Sequence, residues 1–347
     1  MALQFIESFD GYGNNEFPLR WTGAFGATIY ANGRNGKAAA VGSGGSLSKT
    51  VNYNANWVVG FAVYMSVNFP SASELYGAQT PGSPNPLVKI AVETDGSISV
   101  YSSGGLIANT GNALNIHVNT WYYFELKYEL TGLSNVSVQI QLRVNKQTVL
   151  TGSGTTGWNA SINGLTGMAV INQHIFGGPS VPGAHIFDDI YIFNQDGGVN
   201  NDFAGDIKIL VIKPDQDLLT PFSKIGGSGT SYSCINEVPP DYDTSYLYDN
   251  TNNDFENFNW QQLPSFYGNV ICVQYTIFAR KDDEGSRAFQ HTMASGPGSL
   301  SSAHYVGDSY LYFMWELDTG PGGASWTVAL FNSTSFGFYI FTIPIPS

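Results

Sequence analysis

The sequence predicts an all-β protein of two domains, and three observations carry that prediction. Forty Gly accompany 22 Phe and 20 Tyr, a pairing of frequent turns with aromatic strand residues. Hydrophobic residues make up 43% while only 12% are charged, against about 25% in an ordinary globular domain, so Asn, Ser, Thr and Gly supply the polarity. At 347 residues the chain exceeds one ordinary domain and suits two, each able to bury a core. The expected boundary gives a first domain over 1–195 and a β-rich second domain over 196–347.

Within the first domain, no segment has the periodicity of an amphipathic helix. Trp57 to Met65 is a run of strand formers suited to burial on both faces. The Ser-, Pro- and Gly-rich stretch from Pro70 through Pro86 reads as a surface excursion. Leu87–Val92 and Ile98–Tyr101 flank an Asp95-Gly96 pair, a hairpin signal because both turn residues tolerate positive φ. Val136 to Val144 alternates strictly, with Val136, Val138, Ile140, Leu142 and Val144 on one face. Asn145-Lys146 then makes a turn and Gln147 to Leu150 returns. In the second domain, strands are expected at Asp206–Ile212, Val270–Lys281, Ser309–Leu317 and Phe336–Ile345, with a short helix over Trp326–Asn332. Gly226–Tyr232 and Pro239–Asp254 are polar and read as exposed loops.

Two stretches carry a family resemblance. Phe187-Asp188-Asp189-Ile190-Tyr191-Ile192-Phe193 resembles the last strand of laminin-G-like and concanavalin-A-like jelly rolls, and Asn119-Thr120-Trp121-Tyr122-Tyr123 resembles their central strand. The resemblance implies a concanavalin-A-like jelly roll from about Leu3 to Asn194. The continuation Val199-Asn200-Asn201-Asp202-Phe203-Ala204-Gly205-Asp206-Ile207 is similar to a segment of tailed-bacteriophage virion structural proteins. Val238–Tyr246, Ala279–Arg287 and Ser325–Gly337 resemble the same proteins in the same order.

Fourteen basic against 27 acidic residues give a net charge of −13, which repels phosphate backbones and argues against nucleic-acid binding. No apolar run approaches the ~20 residues of a membrane span. The N-terminus lacks the basic and apolar regions of a signal peptide, so a soluble protein without membrane insertion is expected. Cys234 and Cys272 are expected reduced, with Cys272 in a buried strand; whether they pair is not read from sequence.

Candidate chemistry is sparse. Glucan-cleaving jelly rolls carry a Glu-x-Asp-x-Glu strand that sets acid and nucleophile about 5 Å apart, and no such strand exists here. Glu93-Thr94-Asp95 and Glu316-Leu317-Asp318 run into glycine turns and read as turn acids. His117, His174, His185, His291 and His304 are scattered, with His174 and His185 placed to meet across a hairpin. Neither HExxH, a GxSxG elbow nor a P-loop is present. The resemblance to laminin-G-like domains makes Asp188 and Asp189 the metal candidates, for Ca²⁺ if any cofactor is held; the simpler reading is that one Asp hydrogen-bonds a neighbouring loop while the other faces solvent, with no cofactor. Tyr242, Tyr246, Tyr248 and Trp260, among many Asn, are the candidates for glycan or partner binding, because rigid rings supply stacking area beside hydrogen bonds; the simpler reading is that they fill the second domain's core or a subunit interface.

The expectation drawn from sequence is therefore a non-enzymatic virion structural protein of a tailed phage. Tail- or fibre-associated host adsorption is preferred over capsid decoration as a cement or head-fibre protein, and a glycan-binding or glycan-cleaving jelly roll is the third reading. Its expected partners are other virion proteins, further copies of itself in a homo-oligomer, and a host surface glycan.

Overall fold

The computed structural model describes residues 2–66, 71–80, 85–114, 116–132, 135–157, 170–178, 184–251, 253–293 and 299–342. The chain is all-β and divides into two compact units, Met1–Leu210 and Val211–Ser347. The expected boundary at 195 falls inside the first unit, because 196–210 is fastened to that unit by hydrogen bonds described below.

The first unit is a jelly-roll-type sandwich of thirteen strands: β1 (Leu3–Glu7), β2 (Gly23–Tyr30), β3 (Ala38–Asn54), β4 (Asn56–Met65), β5 (Ser73–Gln79), β6 (Val88–Val92), β7 (Ile98–Ser102), β8 (Gly105–Asn109), β9 (Trp121–Thr131), β10 (Ser137–Val144), β11 (Gln147–Thr155), β12 (Ile171–Gly177) and β13 (His185–Asn194). A short helix, α1 (Phe17–Arg20), sits between β1 and β2. The strand order is β11-β10-β9-β4-β13-β3-β12-β5-β6-β7-β8, with β1 against β13 and β2 against β3. All pairs are antiparallel, as hairpin-rich jelly rolls require.

β3 takes the chain from one layer to the other. Its first part pairs β13 through Ala39–Val41 and its second pairs β12 from Ser46 to Asn54. The bend between them is made of Gly42, Ser43, Gly44 and Gly45. Gly44 has φ +71, and a Cβ on Gly45 would meet the Phe25 carbonyl oxygen at 2.7 Å. Between the layers lies an aromatic core. Phe61 of β4 stacks on Phe124 of β9 at 5.6 Å and meets Phe176 of β12 edge-on at 5.5 Å, a geometry favoured by the ring quadrupoles. Tyr76 of β5 brings its hydroxyl within hydrogen-bond distance of Tyr128 and of His174 Nδ1, while His174 Nε2 is buried without a hydrogen-bond partner among the described residues.

β5 corrects the expectation of a surface excursion over Pro70–Pro86. Ser73–Gln79 is a mostly buried strand inside the second layer, and only its flanks carry the Pro and Gly of that stretch. Turn-rich flanks masked a seven-residue strand whose Tyr76 and Ala78 face the core. Residues 67–70 and 81–84 lie outside the described ones.

The second unit contains β14 (Pro214–Leu219), β15 (Ser223–Ile225), β16 (Tyr246–Tyr248), β17 (Phe255–Trp260), β18 (Val273–Ala279), β19 (Arg287–Met293), β20 (Ser299–Leu300), β21 (His304–Val306), β22 (Leu311–Leu317), the helix α2 (Val328–Asn332) and β23 (Phe336–Thr342). A sheet of order β14-β17-β23-β19-β20, with β21 on β19, carries the face against which the β18–β22 pair packs. Tyr275, Trp326, Phe331 and Phe336 form its core, with Trp260 packed against it. Thr327 caps α2 by accepting a hydrogen bond from the Leu330 amide.

Two expectations shift here. Asp206–Ile212 is not a strand; the Ile207 carbonyl accepts from Arg34 and the Ile209 amide donates to Asp189 instead of bonding a neighbouring strand. Cys272 precedes β18 instead of lying inside a strand, and burial pushes its thiol well up. Both cysteines are free. Residues 343–345 of the expected last strand lie outside the described ones.

Candidate glycan-binding face

The outer face of the β12-β5-β6-β7-β8 layer is built by simple alternation. Along β6, Val88, Ile90 and Val92 are buried toward the core, which leaves Lys89 and Ala91 outward. Ile90 stands opposite Tyr76 and Val100, both buried, so the inward row is fixed by register. The outward rows follow. Ile175, Gly77, Lys89 and Tyr101 lie side by side across four strands, and Gln173 stands beside Gln79.

Four side chains form a continuous polar array on this face. Lys89 Nζ is 3.7 Å from Glu74 and 5.2 Å from the centre of the Tyr101 ring, and the Tyr101 hydroxyl donates to Glu93 at 2.7 Å. The Gln79 amide donates to Gln173 Oε1, and Asn109 donates to Ser99 Oγ at 2.8 Å and to Ser97 Oγ at 3.1 Å. Gly77 and Gly178 are closely approached by their neighbours: a Cβ on Gly77 would stand 2.9 Å from Pro86 Cγ and 3.1 Å from Glu74 Oε1, and one on Gly178 would stand 3.1 Å from Glu74 Cδ. Burial holds the Glu74 carboxyl above the usual range, with Lys89 pulling the other way. Burial also raises Tyr101, helped by Glu93. The face thus offers carboxylate and amide acceptors, amide and ammonium donors, and one ring.

None of these residues was singled out from sequence except Glu93, which was read as a turn acid. The signal was present in the period-two pattern of 88–92 and 98–101, where Lys89 and Tyr101 occupy outward positions.

The predicted site residues lie elsewhere. Asp188 and Asp189 are buried in a bulge, where β13 stops pairing with β3 and starts pairing with β1. Asp189 adopts φ +47 there. Asp188 accepts the amides of Asp189 and Arg34, both at 2.8 Å. Asp189 accepts the Arg34 guanidinium at 3.1 Å, Asn35 at 3.0 Å and the Ile209 amide at 2.8 Å. All four oxygens are already taken by N–H donors, one of them the Arg34 guanidinium, so the arrangement does not suit a calcium ion. Among the described residues, no group of three or more His, Cys, Asp or Glu is placed to hold a metal. Burial lifts the Asp188 carboxyl to about 7, with Asp189 adding to the effect.

Tyr242 packs edge-on against Phe278 at 5.3 Å and Tyr310 at 5.2 Å, beside an Arg280–Asp243 ion pair. Tyr246 and Tyr248 sit on β16, 6.0 Å apart. Trp260 instead meets Tyr275 and Phe336 edge-on in the core and donates its indole N–H to the Phe336 carbonyl. The four therefore do not form one surface. His174 and His185 do not meet either, since His174 contacts Trp57 and Tyr76 whereas His185 lies 2.7 Å from Ser73 Oγ.

No protein-family model matches this chain, and no curated protein does. Among solved structures, the alginate lyase Aly36B in complex with alginate trisaccharide is 14% identical with a TM-score of 0.41, the match covering 56% of this chain and 98% of that one. The endo-β-1,4-glucuronan lyase of Trichoderma reesei is 12% identical with a TM-score of 0.38, covering 56% and 96%. The sialidase of Trypanosoma rangeli is 16% identical with a TM-score of 0.36, and the match covers 48% of this chain but only 27% of the sialidase. These likenesses concern the fold alone. The expectation of a non-enzymatic protein is corrected only to this extent: each of these three solved structures is of an enzyme, and none of their activities is carried to this chain. The missing Glu-x-Asp-x-Glu strand speaks against one glucanase arrangement alone. No described helix is long and apolar enough to cross a membrane.

Proposed function

We propose that the first unit binds a glycan chain along the outer face of β12, β5, β6 and β7. The observation that carries this reading is the Glu74–Lys89–Tyr101–Glu93 array on the outward side of β5, β6 and β7, bordered by Pro86 over Gly77. A sugar needs paired hydroxyl donors and acceptors plus an apolar ring face, and this array supplies both kinds of contact. A sheet face is also a rigid platform, so little ordering cost accompanies binding.

A second reading, cleavage of the bound chain, is favoured by Glu74. A carboxyl held above its usual range beside an ammonium is a suitable proton donor to a leaving glycosidic oxygen. The sequence-based expectation of host adsorption from a phage particle joins the proposal as the setting in which glycan binding operates. Many copies on one particle would make weak glycan contacts add up.

The test is calorimetric titration of purified protein with neutral and uronic-acid oligosaccharides, alongside Lys89→Ala and Tyr101→Ala. Binding that falls at least about tenfold in both variants supports the site, following the 1.4 kcal/mol per decade relation. Binding that is absent, or indifferent to both substitutions, refutes it. Mass spectrometry of the same mixtures decides between binding and cleavage, and mass spectrometry of purified particles tests the phage setting.

A further inference from the structure

We propose that residues 202–209 form a displaceable strap over a second, latent binding site on the opposite outer face of the sandwich. Beneath the strap, Arg143, Glu125, Gly60 and Tyr191 form one row across β10, β9, β4 and β13. Glu125 and Tyr191 are fully buried, and the Tyr191 hydroxyl donates to Glu125 Oε1 at 2.6 Å. The strap adds two backbone bonds to this pair. The Gly205 amide donates to Glu125 Oε1 at 2.7 Å, and the Ala204 amide donates to the Tyr191 hydroxyl at 3.2 Å. Glu125 Oε2 is buried without a hydrogen-bond partner, and so is Arg143 Nε. An unsatisfied carboxylate oxygen costs stability wherever it is merely structural, so its place here calls for a ligand.

The strap itself is lightly held. None of residues 201–210 is buried, whereas Glu125 and Tyr191 beneath them are, with Arg143 half-buried at the edge. Phe203 lies against the Arg143 guanidinium at 4.0 Å, and Asp202 pairs with Lys127 at 3.4 Å through a carboxylate that is 65% exposed. At the far end Arg34 pairs with Asp206 and donates to the Ile207 carbonyl, while Ile209 is tied to Asp189. A segment anchored by polar contacts and little apolar burial opens at low free energy without unfolding the sheet beneath. Once open, the row presents a carboxylate, a phenol and a guanidinium in line. The strap occupies them with N–H donors and a planar ring, and a chain of sugars matches that pattern with hydroxyls and ring faces.

Native-state hydrogen exchange on the whole protein tests this, combined with carbodiimide labelling of Glu125 read by mass spectrometry. The amides of Ala204, Gly205 and Ile209 are expected to exchange at least about tenfold faster than those of β9, and Phe203→Ala to accelerate them further. Adding a cellulose- or alginate-derived hexasaccharide should speed strap exchange and shield Glu125 from label. Lys89→Ala should leave that response unchanged, which separates this site from the face proposed above. Strap amides that exchange only with global unfolding would overturn the proposal. So would an opening strap that neither saccharide affects.

Discussion

The Tyr191 ring lies directly over Gly60. A Cβ at position 60 would stand 2.1 Å from the ring's Cε1, closer than any real contact. Gly60 sits in the middle of a buried strand, where glycine otherwise costs conformational entropy, so its presence is explained by what it lets lie above it. Gly60→Ala is therefore expected to displace Tyr191 from Glu125 and to destabilise the first unit by about 1–3 kcal/mol. Urea denaturation followed by Trp fluorescence measures this; a midpoint equal to that of the parent protein would refute the account.

The Asn145-Lys146 turn carries φ +49 and φ +71, so both residues of the two-residue hairpin loop between β10 and β11 are left-handed. Asn tolerates that conformation, whereas Lys146 adopts it at a steric cost. Lys146→Gly is expected to raise stability by about 0.5–1 kcal/mol, seen as a higher thermal midpoint.

Glu7 and Arg20 form a buried pair at 2.9 Å, and Glu7 also accepts the Tyr12 hydroxyl at 3.0 Å and the Phe9 amide at 2.8 Å. Removing one partner strands a buried charge, so Arg20→Leu should cost about 3–5 kcal/mol. Replacing both at once, Glu7→Gln with Arg20→Leu, should cost less than Arg20→Leu alone. A double variant less stable than that single one would sink this reading.

Stability of the first unit should depend on pH in two opposed ways. Burial lowers His174 to about 3 and His185 to about 4 from an ordinary value of 6.5, so the folded state resists protons that the unfolded chain takes up. Their contribution is full above 6.5 and is lost as pH falls toward 4 and 3. Asp188 is raised from 3.8 to about 7, so its contribution is full below 3.8 and is lost as pH rises through 7. Thermal midpoints across this range should rise more steeply with pH in Asp188→Asn than in the parent. An unchanged slope would show that Asp188 does not titrate as described.

On the candidate face, Tyr101→Phe keeps the ring above Lys89 and removes only the hydrogen bond to Glu93. Stability should change by about 1 kcal/mol or less, while glycan affinity falls if the hydroxyl contacts sugar. Equal affinity in Tyr101→Phe, with loss in Tyr101→Ala, would assign the role to the ring alone.

The sequence by itself determined the class of structure. Alternation along Val138–Val144, the Asp95-Gly96 and Asn145-Lys146 turns and the unbroken apolar run of β4 are local signals, and local sterics and burial enforce them. Lys89 and Tyr101 were legible as outward positions for the same reason. What the tertiary structure decided was every relationship between distant strands. Ser73–Gln79 became a strand because Tyr76 and Ala78 found partners in the distant β12 as well as in the neighbouring β6. Asp188 and Asp189 became loop fasteners because Arg34 and Ile209 supplied donors. Asp206–Ile212, expected as a strand, lost that role to hydrogen bonds with Arg34 and Asp189. Pairing across such separations depends on long-range register and shared burial, which no window of neighbouring residues encodes.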